Sequence, residues 1–271
     1  MNSLGFYIGT PDDVPKAELL MRSVEQCTHL RNSYEITAVT SLQKRLYSLG
    51  GVSVIRCEIP SYCQKLPFSD KIYAASVFER ECGSGYLWID VDSCFLQNPS
   101  VLSHAPVCVN PVDLRNIGVR YGQKPDELWQ TLYDYFGLDA AELPCVRTTV
   151  TQEEILPYYN AGMVFCNENR NLFCETEQCI RLISARQEHL DIISRSNLSR
   201  IFFHQAALSC AVLHLHEDRI EPLPHGMNVP LHLQSAFVHP LSRSDIVSVR
   251  YDDYFDTHNV PDKLSYLLSG E

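Results

Sequence analysis

Short apolar runs alternate with helix-periodic stretches from the first residues of the chain onward. Phe6-Tyr7-Ile8-Gly9 reads as a buried strand, Thr10-Pro11-Asp12-Asp13 as a turn, and Ala17, Leu20, Val24 and Cys27 as one face of a helix. Tyr34 to Val39 is a second strand. Leu42, Leu46 and Leu49 then share a helix face closed by Gly50-Gly51, and Val52 to Cys57 is a third strand. Ser69 and Asp70 suit the start of another helix, with Ile72, Ala75, Phe78 and Cys82 on its inner face, and Gly83 to Gly85 releases the chain into Tyr86-Leu87-Trp88-Ile89. This alternation predicts an α/β fold: a parallel sheet with covering helices.

The second half is less regular. Pro106 to Val109 is short and strand-like, and Pro125 opens a helix carrying Leu128, Trp129, Leu132 and Phe136 at helical spacing. Residues 110 to 157 read as an excursion from the sheet. The core resumes at Met163 to Cys166, introduced by Tyr158-Tyr159-Asn160-Ala161-Gly162, and a helix with Phe173, Thr176, Ile180 and Ile183 follows. A further helix covers roughly Phe203 to Leu213, with His204 and Gln205 at its opening. The tail from 218 mixes short strands with turns, and no linker or repeat divides the chain, so one domain spans 1–271.

The chemistry begins where the fourth strand ends. In extended backbone, residues i and i+2 point the same way, so Asp90 and Asp92 of Asp90-Val91-Asp92 can converge on one hard cation. The carboxyl edge of an α/β sheet is also where ligands bind. Taken alone, Asp-x-Asp is equally a solvated turn or a helix N-cap. Two carboxylates do not saturate a cation. His239, after the apolar run Ala236-Phe237-Val238, is a candidate third ligand at a second strand end, or simply a polar residue at a strand-to-loop transition. His214 and His216 would share one face if Leu213-His214-Leu215-His216 were a strand. Asn160-Ala161-Gly162 places an amide and a glycine just before a buried strand, where backbone can approach a ligand closely, though a structural turn would look the same.

Composition narrows the function classes. The chain has 271 residues, 45% hydrophobic and 20% charged, which suits a folded protein with a sizeable core. A net charge of -11, with no run among the 22 Lys and Arg residues, argues against a nucleic-acid surface. No apolar stretch is long enough to cross a bilayer and the start does not resemble a secretion signal, so a cytoplasmic location is expected. The 11 cysteines include no Cys-x-x-Cys pair, and Cys57, Cys108 and Cys166 lie in strand-like runs; buried free thiols fit better than disulfides or a zinc site. Asn197-Leu198-Ser199 matches a glycosylation acceptor that has no use without secretion.

Taken in order, several segments carry a resemblance. They are Phe6-Tyr7-Ile8-Gly9-Thr10 with Arg22-Ser23-Val24-Glu25, Tyr86 to Asp92, Tyr159-Asn160-Ala161-Gly162-Met163-Val164, His204-Gln205-Ala206-Ala207-Leu208, Pro224-His225-Gly226-Met227-Asn228, and Val238-His239. The series resembles a GT-A glycosyltransferase, and within that fold glycosyltransferase family 8, over roughly residues 4 to 240. The resemblance implies a mixed, mostly parallel sheet flanked by helices, with a Rossmann-like N-terminal half. It further implies Asp90, Asp92 and His239 as ligands of manganese or magnesium, and Ile8, Thr10 and Asp12 at the nucleobase and ribose. Asn160 and Ala161 would line the donor sugar, and Gln205, with His204 beside it, would face the reacting carbon. By analogy, residues 110–157 form an insertion on the acceptor side.

The implied activity is metal-dependent transfer of a hexose from a nucleotide-sugar donor, UDP-linked, to an acceptor hydroxyl with retention. The acceptor class stays open among glycan, lipid-linked sugar and small molecule. The chain departs from the family pattern at three places. Thr10 and His204 stand where aspartates are common, and His239-Pro240-Leu241-Ser242-Arg243 lacks the usual glycine and lysine. Arg243, or Lys71 on the helix before the Asp pair, could replace that lysine as a diphosphate clamp. Two other readings stay open: a GT-A-like domain that binds a sugar or partner without turnover, and a haloacid-dehalogenase-type phosphatase, which also carries Asp-x-Asp after a strand but near its domain start. A sugar-nucleotide pyrophosphorylase would open with a Gly-rich basic loop, which Phe6 to Asp13 lacks.

Overall fold

The computed structural model describes residues 2–42, 49–82, 85–99, 105–168, 170–216 and 219–252. The first half runs β1 (Asn2–Ile8), α1 (Asp13–Gln26), α2 (Thr28–Ser33), β2 (Tyr34–Thr40), β3 (Ser53–Arg56), α3 (Ser69–Glu81), β4 (Tyr86–Ile89) and β5 (Ser93–Phe95). It continues through β6 (Val107–Pro111), α4 (Glu127–Phe136), the hairpin β7 (Val146–Arg147) and β8 (Glu154–Ile155), and β9 (Tyr159–Cys166). The remaining elements are α5 (Leu172–Ser184), α6 (Gln187–Ile193), α7 (Asn197–His216), β10 (Ile220–Glu221), β11 (Val229–Pro230) and β12 (Ser248–Arg250). The helix expected around Leu46 falls on residues 43–48, outside the described residues.

Among the described residues, a seven-stranded sheet has the order β10-β6-β9-β4-β1-β2-β3. All neighbours are parallel except β9, which runs antiparallel to both β4 and β6. The mixed, mostly parallel sheet flanked by helices is therefore as the sequence implied. Side-chain alternation on β4 explains its uninterrupted apolar sequence. Tyr86 and Trp88 enter the core under α3, α5 and α7, while Leu87 and Ile89 enter the opposite core against α1. Each such side chain contributes about 1.5–3 kcal/mol by leaving water. The excursion at 110–157 is not a separate body: Trp129, Leu132 and Tyr133 of α4 share the cluster of Trp88 and Phe173. Buried Glu79 of α3 ties this layer together, accepting from the Tyr86 hydroxyl and, at 2.8 Å, from Cys174 N–H.

Two features shape the site beyond what periodicity shows. Pairing of β6 with β9 advances two steps on β6, Val109 to Pro111, against five on β9, Val164 back to Tyr159. This bulge flips the alternation: Tyr159 and Ala161 lie in the same core as Val164 and Cys166. It falls on Asn160-Ala161-Gly162, where it re-aims these residues toward the sheet edge. The second feature is β12, which pairs antiparallel with β5, Arg250 opposite Ser93, and so carries the chain's distant end alongside the Asp pair.

Three expectations are corrected. Helix α7 starts at Asn197, where Ser196 Oγ accepts from Leu198 and Ser199 N–H, so His204 and Gln205 lie well inside it and not at its opening. The first turn is mostly exposed, Leu198 included, so it extends no buried face that periodicity would mark. His214 and His216 belong to the last turn of α7, where residues two apart diverge by about 200°, and His216 is buried with its imidazole pushed down to about 4 by burial. The run Ala236-Phe237-Val238 is not a strand: Leu231–Ala236 forms a 3-10 turn.

Candidate active site

A cleft of about 740 Å³ opens at the carboxyl ends of β1 and β4, closed on its far side by the β9 bulge and α7. Its volume lies within the roughly 300–1,000 Å³ typical of ligand sites. Thr10, Lys71, Asp90, Asp92, Asn160, His204 and Gln205 all line it, drawn together from five separate segments.

Asp90 is fixed from two directions. Its backbone N–H donates to Gly162 O at 2.7 Å, and its carboxylate receives Lys71 Nζ on both oxygens at 2.8 and 3.0 Å. Asp92 is different. Its Oδ1 is buried without a hydrogen-bond partner, and burial, with Asp90 and Asp252 adding like charge, pushes its carboxyl up to about 7. Gly162 permits the approach: a β-carbon there would stand 2.8 Å from Asn160 Oδ1, 3.0 Å from Asp90 Oδ2 and 3.3 Å from Arg250 Nη1.

Asn160 is held in one orientation, its amide oxygen accepting from Gly162 N–H at 2.7 Å and its Nδ2 donating to Asp113 Oδ2 at 3.3 Å. Gln205 Oε1 accepts from Ala161 N–H at 3.2 Å, which pins the helix to the bulge. His204 lies 2.9 Å from the carbonyl of Ile201 through Nδ1, so that nitrogen carries the proton and Nε2 keeps a lone pair. Burial, with the nearby Lys71 charge, pushes its imidazole well below the ordinary value and keeps it neutral. Thr10 is anchored at the cleft edge by Asp13, whose carboxylate also accepts from Gly9 and Thr10 N–H.

Other expected residues stand elsewhere. His239 and Arg243 are exposed and lie outside the cleft lining, as does Asp12; Ile8 is fully buried, and its carbonyl accepts from Thr40 Oγ1 at 2.9 Å. Ala161 is buried, offering its backbone to Gln205. The grouping of Asp90 and Asp92 with His239 is thus not formed, and among the described residues no three His, Cys, Asp or Glu side chains converge as a metal cage. The cause is the turn at Leu231–Ala236, which replaces the strand that would have delivered the imidazole.

Arg250 is the residue that reading the sequence missed. It lines the cleft, nearly fully buried, and pairs with Asp113 at 2.6 Å and Asp252 at 3.2 Å, while its Nη1 is buried without a partner. Those carboxylates raise its pKa although burial opposes them. The alternation Val247-Ser248-Val249-Arg250 was the only available signal. Across the lining, Asp13, Asp70, Asp90, Asp92, Asp113 and Asp252 face Lys16, Lys71 and Arg250, an excess of three negative charges when Asp92 is ionised. An orphaned carboxylate oxygen and surplus negative charge fit a hard divalent cation that takes its remaining ligands from phosphate and water.

Comparisons with known proteins bear on the fold and the family. The galactosyltransferase LgtC, solved with donor and acceptor sugar analogues, shares the fold at TM-score 0.54 and 11% identity, over 99% of this chain and 95% of that one. An active-site mutant of LgtC gives 0.54 and 12% over the same shares. No curated protein matches by sequence. Residues 17–215, most of the chain, match the Rhodobacterales glycosyltransferase domain. The phosphatase reading falls away, and the chain belongs to the Rhodobacterales glycosyltransferase domain family.

Proposed function

We propose that this glycosyltransferase moves a hexose from a nucleotide-diphosphate donor, UDP-linked, to an acceptor hydroxyl with retained configuration, in the manner of family 8. The observation that carries the reading is the convergence of Asp90, Asp92, Asn160, His204 and Gln205 on one cleft at the carboxyl edge of the sheet. Asp90 and Asp92 would hold manganese or magnesium. Such a cation, when bound, neutralises the diphosphate and favours its departure. A doubly charged diphosphate entering a lining with three surplus negative charges needs that compensation.

The chain's own groups supply position. Lys71 sits on Asp90, close enough to meet phosphate oxygens, and takes the clamp role in place of Arg243. Thr10 and Asp13 form the nucleoside end, and Asn160 orients the sugar. Gln205 stands beside the reacting carbon, where its amide, held through Oε1, fixes the geometry of attack. The acceptor oxygen bonds to the anomeric carbon, the carbon–phosphate oxygen bond breaks with its electron pair, and the acceptor proton passes to the leaving phosphate. Residues 110–157 contribute Asp113, Leu114 and Asn116 to the cleft wall and form the acceptor side. Eleven free cysteines suit a reducing, cytoplasmic setting.

The test measures UDP release from UDP-glucose and UDP-galactose with and without manganese. Release that needs the metal supports the reading; nucleotide binding without any turnover across donors and acceptors would sink it. Gln205→Ala should reduce kcat roughly 10- to 100-fold with donor affinity kept, and a pure affinity loss would remove Gln205 from the reacting carbon.

A further inference from the structure

One side chain on the lip of the cleft is poorly placed for folding and well placed for recognition. Phe68 adopts φ 62, in the left-handed region. That conformation strains any residue with a β-carbon, and an aromatic one is unusual there. Phe68 also occupies the N-cap of α3, a position that favours Ser, Thr, Asp or Asn, and it makes no capping hydrogen bond. The adjacent Ser69 does not compensate, because its hydroxyl is buried without a partner. Finally, Phe68 is 47% exposed, although it belongs to a residue type that usually fills the core. Local stability would be better served on all three counts by asparagine.

The ring's position suggests what it serves. Its centroid is 4.9 Å from that of His204 and 5.8 Å from Lys71 Nζ. It therefore neighbours both the helix that presents Gln205 and the ammonium that holds Asp90, at the transfer end of the cleft. Thr10 and Asp13 belong to the β1 end. A strained residue kept beside reactive groups points to function and not to packing. A lipid tail would require a continuous apolar channel, whereas this cleft is lined by nine charged side chains. A pyranose has the matching character: an apolar C–H face for the ring and a perimeter of hydroxyls for the charged and amide groups.

Building on the transferase reading, we propose that Phe68 is the stacking platform for the acceptor, which is a saccharide whose terminal pyranose lies on this ring with a hydroxyl directed toward Gln205. Phe68 positions the acceptor and takes no part in bond making. The donor, bound deeper through its diphosphate, does not need it.

The two tryptophans of the chain, Trp88 and Trp129, are fully buried, so Phe68→Trp introduces an exposed fluorescent reporter at the platform. With UDP and manganese present, methyl glucosides, galactosides and mannosides, lactose and maltose are titrated while emission is followed. At least one should give a saturable change. In saturation-transfer NMR the same sugar should bind Phe68→Asn about three- to tenfold more weakly than the unmodified protein. The melting temperature of Phe68→Asn should be no lower than that of the parent, because asparagine tolerates the left-handed cap. The proposal is overturned if no sugar registers while UDP and manganese still stabilise the protein. It is also overturned if Phe68→Asn weakens UDP-sugar but not UDP, which would assign the ring to the donor, or if that variant melts well below the parent, which would make Phe68 structural. Failure of UDP to bind at all would instead overturn the underlying nucleotide-sugar reading.

Discussion

Replacing Asp92 by asparagine should make the cation-free protein more stable and remove its response to the cation. In the folded chain, burial first and the charges of Asp90 and Asp252 next hold the Asp92 carboxyl at about 7, against an ordinary 3.8. The folded state thus keeps a proton that the unfolded chain has released. Between these two values stability falls as pH rises, and above about 7 the full penalty applies. At about 1.4 kcal/mol per pKa unit, the ionised carboxylate destabilises the protein by about 4 kcal/mol at pH 8. Asp92→Asn keeps the shape without the charge. At pH 8, without metal, it should melt roughly 5 °C above the parent, since an amide still pays some burial cost, and at pH 5 the two should coincide. Manganese should raise the parent's melting temperature at pH 8, more so with UDP, and leave the variant unmoved. Scanning fluorimetry at both pH values, with and without manganese, reads all of this. A variant that melts below the parent at pH 8, or that keeps the manganese shift, would refute the idea that Asp92 is an uncompensated charge awaiting a cation.

Two further predictions separate the site from the scaffold. Gly162→Ala places a methyl 2.8 Å from Asn160 Oδ1 and 3.0 Å from Asp90 Oδ2, so urea unfolding should show a loss of about 1–3 kcal/mol together with loss of UDP-dependent stabilisation. Intact nucleotide response would show that Asp90 tolerates displacement. Glu79→Ala removes the acceptor of the Tyr86 hydroxyl and the Cys174 N–H, and should cost about 2–4 kcal/mol in urea unfolding, with nucleotide affinity preserved in the folded fraction.

The expected strands from Phe6 to Trp88 correspond to β1 through β4; buried strands such as β4 read as apolar runs and their covering helices repeat an inner face, while β3, at the sheet edge and mostly exposed, shows only as the short run around Val54 and Ile55. The same logic found α4 and α5 through Leu128, Trp129, Phe173 and Ile180. It failed at two places. The start of α7 has no buried apolar face: Leu198 is exposed, and with Ile201 and Phe202 it lines the cleft and not the core. The segment before His239 is apolar enough to imitate a strand, yet a 3-10 turn fills Leu231–Ala236 and Phe237-Val238 joins no sheet.

Local order along the chain therefore determined the layers and the end of β4 as the place where Asp90 and Asp92 face the cleft. Tertiary structure decided their company. Arg250, 158 positions beyond Asp92, reaches the cleft because β12 pairs with β5, and Asn160 faces it because β9 bulges against β6. His239 stays out for the opposite reason, having no strand to carry it in. Periodicity reports which face of an element is buried, since burial acts on each side chain where it stands. It does not report which distant element lies alongside, because that is set by strand pairing and packing across the whole core.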